Sequence, residues 1–316
     1  MSVDLATAGG GIGFGCGPLG EHGFGSVDLV ECRSAVMTAL DGGFTFFDTA
    51  DVYGRGLSEQ QLALALGARR SEATIATKGG VRLDHKNQSY YDSSPAWLEE
   101  ALEASLRRLD TDYIDLYQIH YVDGITPLEE SFAALEGAAT RGLIRAYGVS
   151  NVTFGADIDA SQWPHFLSFS FEFSLLEQAK LQDARTNWAC SPAAVQISTG
   201  VLAQGILTGK YDGDSTYDDN DRRSSRQPLF RHDQWSTNMA MLDVLRAFGP
   251  SIASLAIAWS IGSGVWPDHG RRMSLVGVKS RAQLEALFEA RLLLASGFDW
   301  TEIDRAAASI AEREAR

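Results

Sequence analysis

Eight short apolar runs of strand length recur along the 316 residues, and segments of helical periodicity separate them. Alternation of this kind builds βαβ units around a parallel sheet. With no break in composition, the reading is one α/β domain over residues 1–316, a (β/α)8 TIM barrel. Ile12–Gly15 reads as the first strand. A helix from Ser26 to Asp41 follows, with Leu29, Cys32, Val36 and Leu40 on one face and Gly42-Gly43 ending it. Phe44–Phe47 is the second strand, and Ser58 with Gln61 predicts a capping box for the next helix. Ala73–Thr77 is the third strand. Ser94-Pro95 opens a helix whose Leu98, Leu102, Leu106 and Leu109 share a stripe.

Tyr113–Ile119 is the fourth strand, and Thr126-Pro127 with Glu129 opens the fourth helix. Strands five to seven are Ile144–Val149, Phe166–Phe171 and Ala193–Ser198, with a helix over Leu175–Trp188. Helices at Trp235–Phe248 and Ile252–Ile261 precede a last strand at Ser274–Val278. Ser280 and Gln283 cap the eighth helix, and Thr301 to Arg316 forms an extra one. The polar segment from Tyr211 to His232 is too long for an idle connection in a compact barrel and is expected to be a lid.

Composition removes several function classes. The formal net charge is −14, which repels a phosphate backbone, so no nucleic-acid partner is expected. No apolar run is long enough to span a bilayer, and the segment from Met1 to Gly11 has no signal-peptide pattern. Cys16, Cys32 and Cys190 are far apart and form no CxxC, which predicts reduced thiols in a cytoplasmic protein. The six histidines contain no His-x-His or His-x-x-x-His pair, so no metal is expected. The glycine-rich run Gly9–Gly17 lacks the helix a dinucleotide fingerprint requires after it.

Three polar residues close three successive strands. Asp48 follows the second, Lys78 the third and His120 the fourth, while Tyr53 lies five residues past Asp48. Strand ends of this kind meet at the C-terminal mouth of a parallel barrel, where such folds keep their chemistry. Singly, each residue also fits a structural role; their joint placement predicts a proton-donating centre. A phenol is a weak acid, with a reference pKa of about 10. An ammonium at Lys78 would favour its phenolate, Asp48 would hold Lys78 charged, and His120 would orient a carbonyl oxygen.

The segments GGFTFFDTADVYGRGLSEQQLALAL (Gly42–Leu66), ATKGG (Ala76–Gly80), SLRRLDTDYIDLYQIH (Ser105–His120), RGLIRAYGVSN (Arg141–Asn151) and GILTGKY (Gly205–Tyr211) carry a family likeness. Over nearly its whole length the chain resembles the aldo-keto reductase superfamily. The resemblance implies a barrel that binds NADPH without a Rossmann domain and reduces an aldehyde or ketone. It implies Tyr53 as general acid, Asp48 and Lys78 as its tuning pair, and His120 as the substrate-orienting group.

It also implies a cofactor site drawn from Gly15, Cys16, Asp48, Ser150, Asn151, Ser170, Leu202, Gly205, Leu207, Lys210, Gly277, Lys279, Ser280 and Gln283. Ser150 and Asn151 match the groups that hold the carboxamide. Lys279 and Ser280 match those that meet the 2′-phosphate, a cation beside a hydroxyl at a helix N-terminus. Arg222 or Arg223 is a candidate for closing on the phosphates. Tyr53, His120 and Tyr121 are expected to touch substrate, with Tyr90 and Tyr91 as further candidates.

The pattern departs in places. Thr199-Gly200-Val201-Leu202 stands where the family has Tyr-Ser-Pro-Leu, Ser170 where a Gln is common, Ala286-Leu287 where Glu-Asn is common, and Cys16-Gly17 where an aromatic is common. These losses imply a more open pocket that admits a bulky carbonyl substrate. Two other readings stand beside reduction. One is a cofactor-binding or sensor subunit on the same fold; the other is a redox-neutral acid–base reaction. Oligomeric state is not readable from the sequence.

Overall fold

The computed structural model describes residues 10–21, 23, 25–86, 88–153, 162–212, 215, 217, 221, 223, 234–266 and 270–314. Its barrel strands are β1 (Ile12–Gly15), β2 (Phe46–Asp48), β3 (Thr74–Gly79), β6 (Ile114–Ile119), β7 (Ile144–Ser150), β8 (Phe166–Glu172), β9 (Val195–Thr199) and β10 (Arg271–Gly277). They close in that order, all parallel, with β10 returning to β1. The remaining pair, β4 (Val81–Leu83) and β5 (Ser89–Tyr91), forms an antiparallel hairpin after β3. The sequence reading missed this hairpin because three-residue strands are too short to show alternation.

The helices are α1 (Leu29–Asp41), α2 (Leu57–Leu66), α3 (Pro95–Leu109), α4 (Leu128–Thr140), α5 (Leu181–Cys190), α6 (Trp235–Arg246), α7 (Ile252–Gly262), α8 (Leu284–Ala295) and α9 (Thr301–Glu314). No helix among the described residues is long and apolar enough to cross a membrane.

Side chains alternate across a strand, and that period of two places the site. Phe46, Ala76, Leu116, Ala146, Val195, Ile197, Met273 and Leu275 form one buried cluster, contributed by same-facing positions of the strands. Gly13 makes room for it, since a Cβ there would lie 2.7 Å from Leu275 and Phe46. Two residues further along the same faces come Gly15, Asp48, Lys78, Gln118, Gly148, Thr199 and Gly277. The next same-facing positions on β6 and β7 lead to His120 and Ser150. The C-terminal layer of the barrel is therefore the polar one.

Several local readings are corrected. Helix α1 starts at Leu29, because Asp28 takes the cap, its carboxylate accepting from the Val30 and Glu31 amides at 2.9 and 3.2 Å. Helix α2 is preceded by Gly56, and Ser58 makes no cap bond. Helix α4 has Pro127 in the cap position, while the Thr126 hydroxyl donates to Asp123 at 2.7 Å. Helix α5 begins at Leu181, since Ser174 and Glu177 exchange backbone bonds in a turn just before it. A 3-10 turn over Arg281–Gln283 precedes α8, and the Gln283 side chain accepts from the Lys279 amide at 2.7 Å instead of capping. Ser94 caps α3 as read, accepting from the Trp97 amide. The C-terminal helix α9 is held to α7 by the Trp259 indole, which donates to Asp304 at 2.7 Å.

Candidate active site

Strand β3 runs to Gly79, so Lys78 stands within the strand, beside Asp48 at the end of β2. The ammonium donates to the Asp48 carboxylate at 2.6 Å and to the Thr49 carbonyl at 2.9 Å. Asp48 is 4% exposed and Lys78 2%. Burial alone would pull the lysine down, yet the nearby Asp48 and Tyr53 charges hold it above its ordinary range, so it stays cationic. Burial pushes the Asp48 carboxyl up, and Lys78 offsets part of that. The second Asp48 oxygen is buried without a hydrogen-bond partner.

Tyr53 reaches the same mouth from the loop after β2. The Lys78 ammonium lies 5.5 Å from its ring centroid. His120 meets the Tyr53 ring edge-on, with centroids 5.9 Å apart at 85°. His120 is 8% exposed and its Nδ1 has no hydrogen-bond partner. Burial, helped by Lys78, pushes it down to about 3, so the ring is neutral across the physiological range. Tyr121 stacks on His120 at 5.0 Å, and Tyr91 stacks on Tyr121 at 4.6 Å. The structure thus brings the four sequence-identified residues to one mouth, with Tyr121 and Tyr91 beside them.

The depressed His120 has a consequence for acid stability. Its ordinary value is 6.5 and its folded value about 3, so the unfolded chain takes up a proton first as pH falls. The contribution is intact above the unfolded value and is lost as pH falls toward the folded one. Between pH 7 and pH 5 wild type should lose about 2 kcal/mol more than His120→Asn. Urea unfolding at the two pH values measures this, and equal losses would show that His120 is not held neutral.

The residues expected to hold a nicotinamide cofactor line an arc from β7 to β1. Ser150 ends β7, and the Asn151 amide donates to its hydroxyl at 3.0 Å; the Asn151 oxygen accepts from Lys180 at 3.3 Å. The buried Ser170 hydroxyl on β8 is without a hydrogen-bond partner, an open donor and acceptor on the same rim. After β9 the backbone turns through three successive positive φ values, at Ala203 (47°), Gln204 (57°) and Gly205 (103°). Two non-glycine residues in that region are strained, the kind of backbone cost found at ligand-binding loops. Leu202 is half-buried, while Leu207 is buried in the core beneath the loop, which leaves only its backbone to face a ligand. Lys210 is exposed beyond them.

Gly277 is exposed at the end of β10, and Lys279 and Ser280 are half-buried after it. Gly15 packs on β10, where a Cβ would meet Gly277 and Val276 backbone at 3.2 Å. Cys16 is fully buried, its thiol turned toward the Phe14 carbonyl at 3.9 Å and its backbone amide and carbonyl bonded to the Asp48 carbonyl and the Ser58 hydroxyl. Of the expected lid, residues 211, 212, 215, 217, 221 and 223 are described. Arg223 bonds Asp221 and the Tyr211 hydroxyl and lies over the Tyr211 and Tyr217 rings at 4.8 and 5.0 Å. Asp221 bridges to Gly23 in the loop after β1. Arg222 lies outside the described residues. An amide and a hydroxyl at β7, the orphaned Ser170 hydroxyl, and cations at Lys279, Lys210 and Arg223 fit a nicotinamide at one end and phosphates at the other.

Gln118 was missed from sequence. It is fully buried on β6, two residues before His120 and therefore on the same face. It lies close enough to Asp48 to favour the carboxylate, while neither of its amide atoms makes a complete hydrogen bond. The alternation in Tyr117-Gln118-Ile119-His120 was the available signal.

Fold and site define a (β/α)8 barrel with Asp48, Tyr53, Lys78 and His120 gathered at its C-terminal mouth. The family model described as "Aldo/keto reductase family" matches residues 11–308. The chain is 32% identical over 286 residues to Aldo-keto reductase YhdN of Bacillus subtilis (strain 168), covering 88% of this chain and 84% of that protein. It is 29% identical over 268 residues to Aldo-keto reductase yakc, NADP(+), of Schizosaccharomyces pombe (strain 972 / ATCC 24843), covering 80% and 76%. Among solved structures, the glycerol dehydrogenase AKR11B4 from Gluconobacter oxydans superposes with a TM-score of 0.79 at 29% identity, covering 96% of this chain and 91% of that one. This chain belongs to the aldo/keto reductase family, as its motifs implied.

Proposed function

We propose that the protein reduces an aldehyde or ketone to an alcohol with NADPH, Tyr53 acting as the general acid. The observation that carries this reading is the single mouth shared by the Tyr53 phenol, the Lys78 ammonium and a neutral His120. Similarity to relatives named as aldo-keto reductases, one of them with NADP(+), supports it. When bound, the nicotinamide supplies the hydride that reaches the carbonyl carbon. Tyr53 donates a proton to the carbonyl oxygen, and the neutral imidazole of His120 donates a hydrogen bond to the same oxygen and orients it. Lys78 stabilises the phenolate left on Tyr53, and Asp48 keeps Lys78 charged and in place. Ser150 and Asn151 hold the carboxamide, Lys279 and Ser280 the 2′-phosphate, and Lys210 with Arg223 the pyrophosphate.

Thr199 and Ser170 are smaller than the residues common at those positions in the family, which favours a bulky carbonyl substrate. Loss of NADPH absorbance with a panel of small and bulky aldehydes and ketones tests the reaction. Tight NADPH binding with no turnover across the panel would point instead to a cofactor-sensing subunit. Lys279→Glu should weaken NADPH by roughly tenfold or more relative to NADH, since it removes a charge-assisted bond that only the 2′-phosphate makes. An equal loss for both cofactors sinks the 2′-phosphate role of Lys279.

A further inference from the structure

Tyr53 sits in the loop between β2 and α2, and the two ends of that loop meet in one buried contact. Thr49, the residue after Asp48, donates its hydroxyl to the Ser58 hydroxyl at 2.8 Å, and Ser58 donates its own proton to the Cys16 carbonyl at 2.7 Å. Both side chains are fully buried. The Ser58 amide donates to the Tyr53 carbonyl at 3.2 Å, and the Cys16 amide donates to the Asp48 carbonyl at 2.7 Å. An unbroken path of bonds therefore runs from the Asp48 backbone through Cys16 and Ser58 to the Tyr53 backbone.

The next residue does the same for Lys78. Glu59 is fully buried; it accepts from the Thr77 hydroxyl at 2.6 Å and from Arg108 at 2.5 Å. Thr77 directly precedes Lys78. The loop also has no slack on its outer side, where a Cβ on Gly54 would lie 2.3 Å from the Gly20 carbonyl oxygen. Ser58 and Glu59 sit in the first turn of α2, where such side chains ordinarily cap the helix. Here both turn away from that task and toward the neighbours of Asp48 and Lys78.

We propose that the Thr49 and Ser58 hydroxyls form a clasp that holds the neck of the Tyr53 loop in register with Asp48, while Glu59 holds the strand that carries Lys78. Thr49, Ser58 and Glu59 are positioning residues, which act through Tyr53 and Lys78. The proposal rests on Tyr53 being the acid. Proton transfer falls steeply when the donor is displaced by about an ångström, so loosening the neck lowers turnover before it lowers binding.

The test uses the full-length protein and the variants T49V, S58A, their double and T49S. T49V is nearly isosteric and removes only the hydroxyl. T49V and S58A should each lower kcat by roughly tenfold or more, with KM for NADPH and carbonyl changed by less than about twofold. The double variant should be no worse than about the poorer single, because one clasp is lost once. T49S keeps the hydroxyl and should retain activity. Amide hydrogen exchange across residues 49–58 should quicken in T49V and S58A but not in T49S. The proposal is overturned if T49V keeps wild-type kcat, if T49S loses as much as T49V, or if exchange is unchanged. The exchange measurement needs no turnover. A wild type that reduces no carbonyl therefore sinks the acid role of Tyr53, while the clasp is still judged by exchange.

Discussion

Tyr53→Phe is expected to lower kcat by about 10²- to 10⁴-fold while leaving the Kd for NADPH within about twofold. The substitution removes one oxygen and keeps the ring. The edge-on contact with His120 and the position of Lys78 against the ring therefore survive. What is lost is the proton that must reach the carbonyl oxygen. His120 cannot replace it, because a ring held down at about 3 carries no spare proton near neutrality. Single-turnover absorbance of NADPH separates the chemical step from binding. Full activity in the variant would exclude Tyr53 as the acid.

Lys78→Met should abolish most turnover and also cost about 3–5 kcal/mol of folding stability. The reason is the partner left behind. Asp48 is almost fully buried, its other oxygen is already without a hydrogen bond, and Lys78 is its cation at 2.6 Å. Without that cation, only the nearby Gln118 opposes burial, and the carboxyl pKa is pushed further up. A folded value above the unfolded one stabilises the protonated form, so the loss should be smallest at low pH and grow as pH rises through the folded value. Urea unfolding at pH 5 and pH 8 measures this. The double variant Asp48→Asn with Lys78→Met should recover part of the stability and none of the activity. Recovery of both would place the pair's role in folding alone.

The parts of the molecule legible in the sequence are those governed by short-range rules. Ser94-Pro95 announced α3 because a cap and a first-turn proline act on their own helix. Asp48, Lys78 and His120 were legible because each stands at the C-terminal end of an apolar strand, and in a parallel barrel those ends share one mouth. Ser58 shows where such rules fail. By local chemistry it is a capping residue, yet its hydroxyl goes to Cys16, 42 residues away in the chain. A buried carbonyl without a donor is costly, and satisfying it outweighs a cap that the helix can do without. The Thr126 hydroxyl is drawn instead to Asp123, a half-buried carboxylate that also gathers the Ile125 and Thr126 amides, and these bonds hold it well below its usual range.

By itself the sequence determined the barrel and the family, and it singled out the four residues proposed to form the acid–base centre. Strand period, helix caps and motif spacing are properties of neighbours along the chain. Only the tertiary structure decided that Asp48 and Lys78 are a buried pair, that His120 is neutral, that Gln118 joins them and that Ser58 ties the Tyr53 loop. Those facts depend on which distant groups share a space closed to water. Desolvation and unmet hydrogen bonds, the forces that set them, arise only once the barrel has closed.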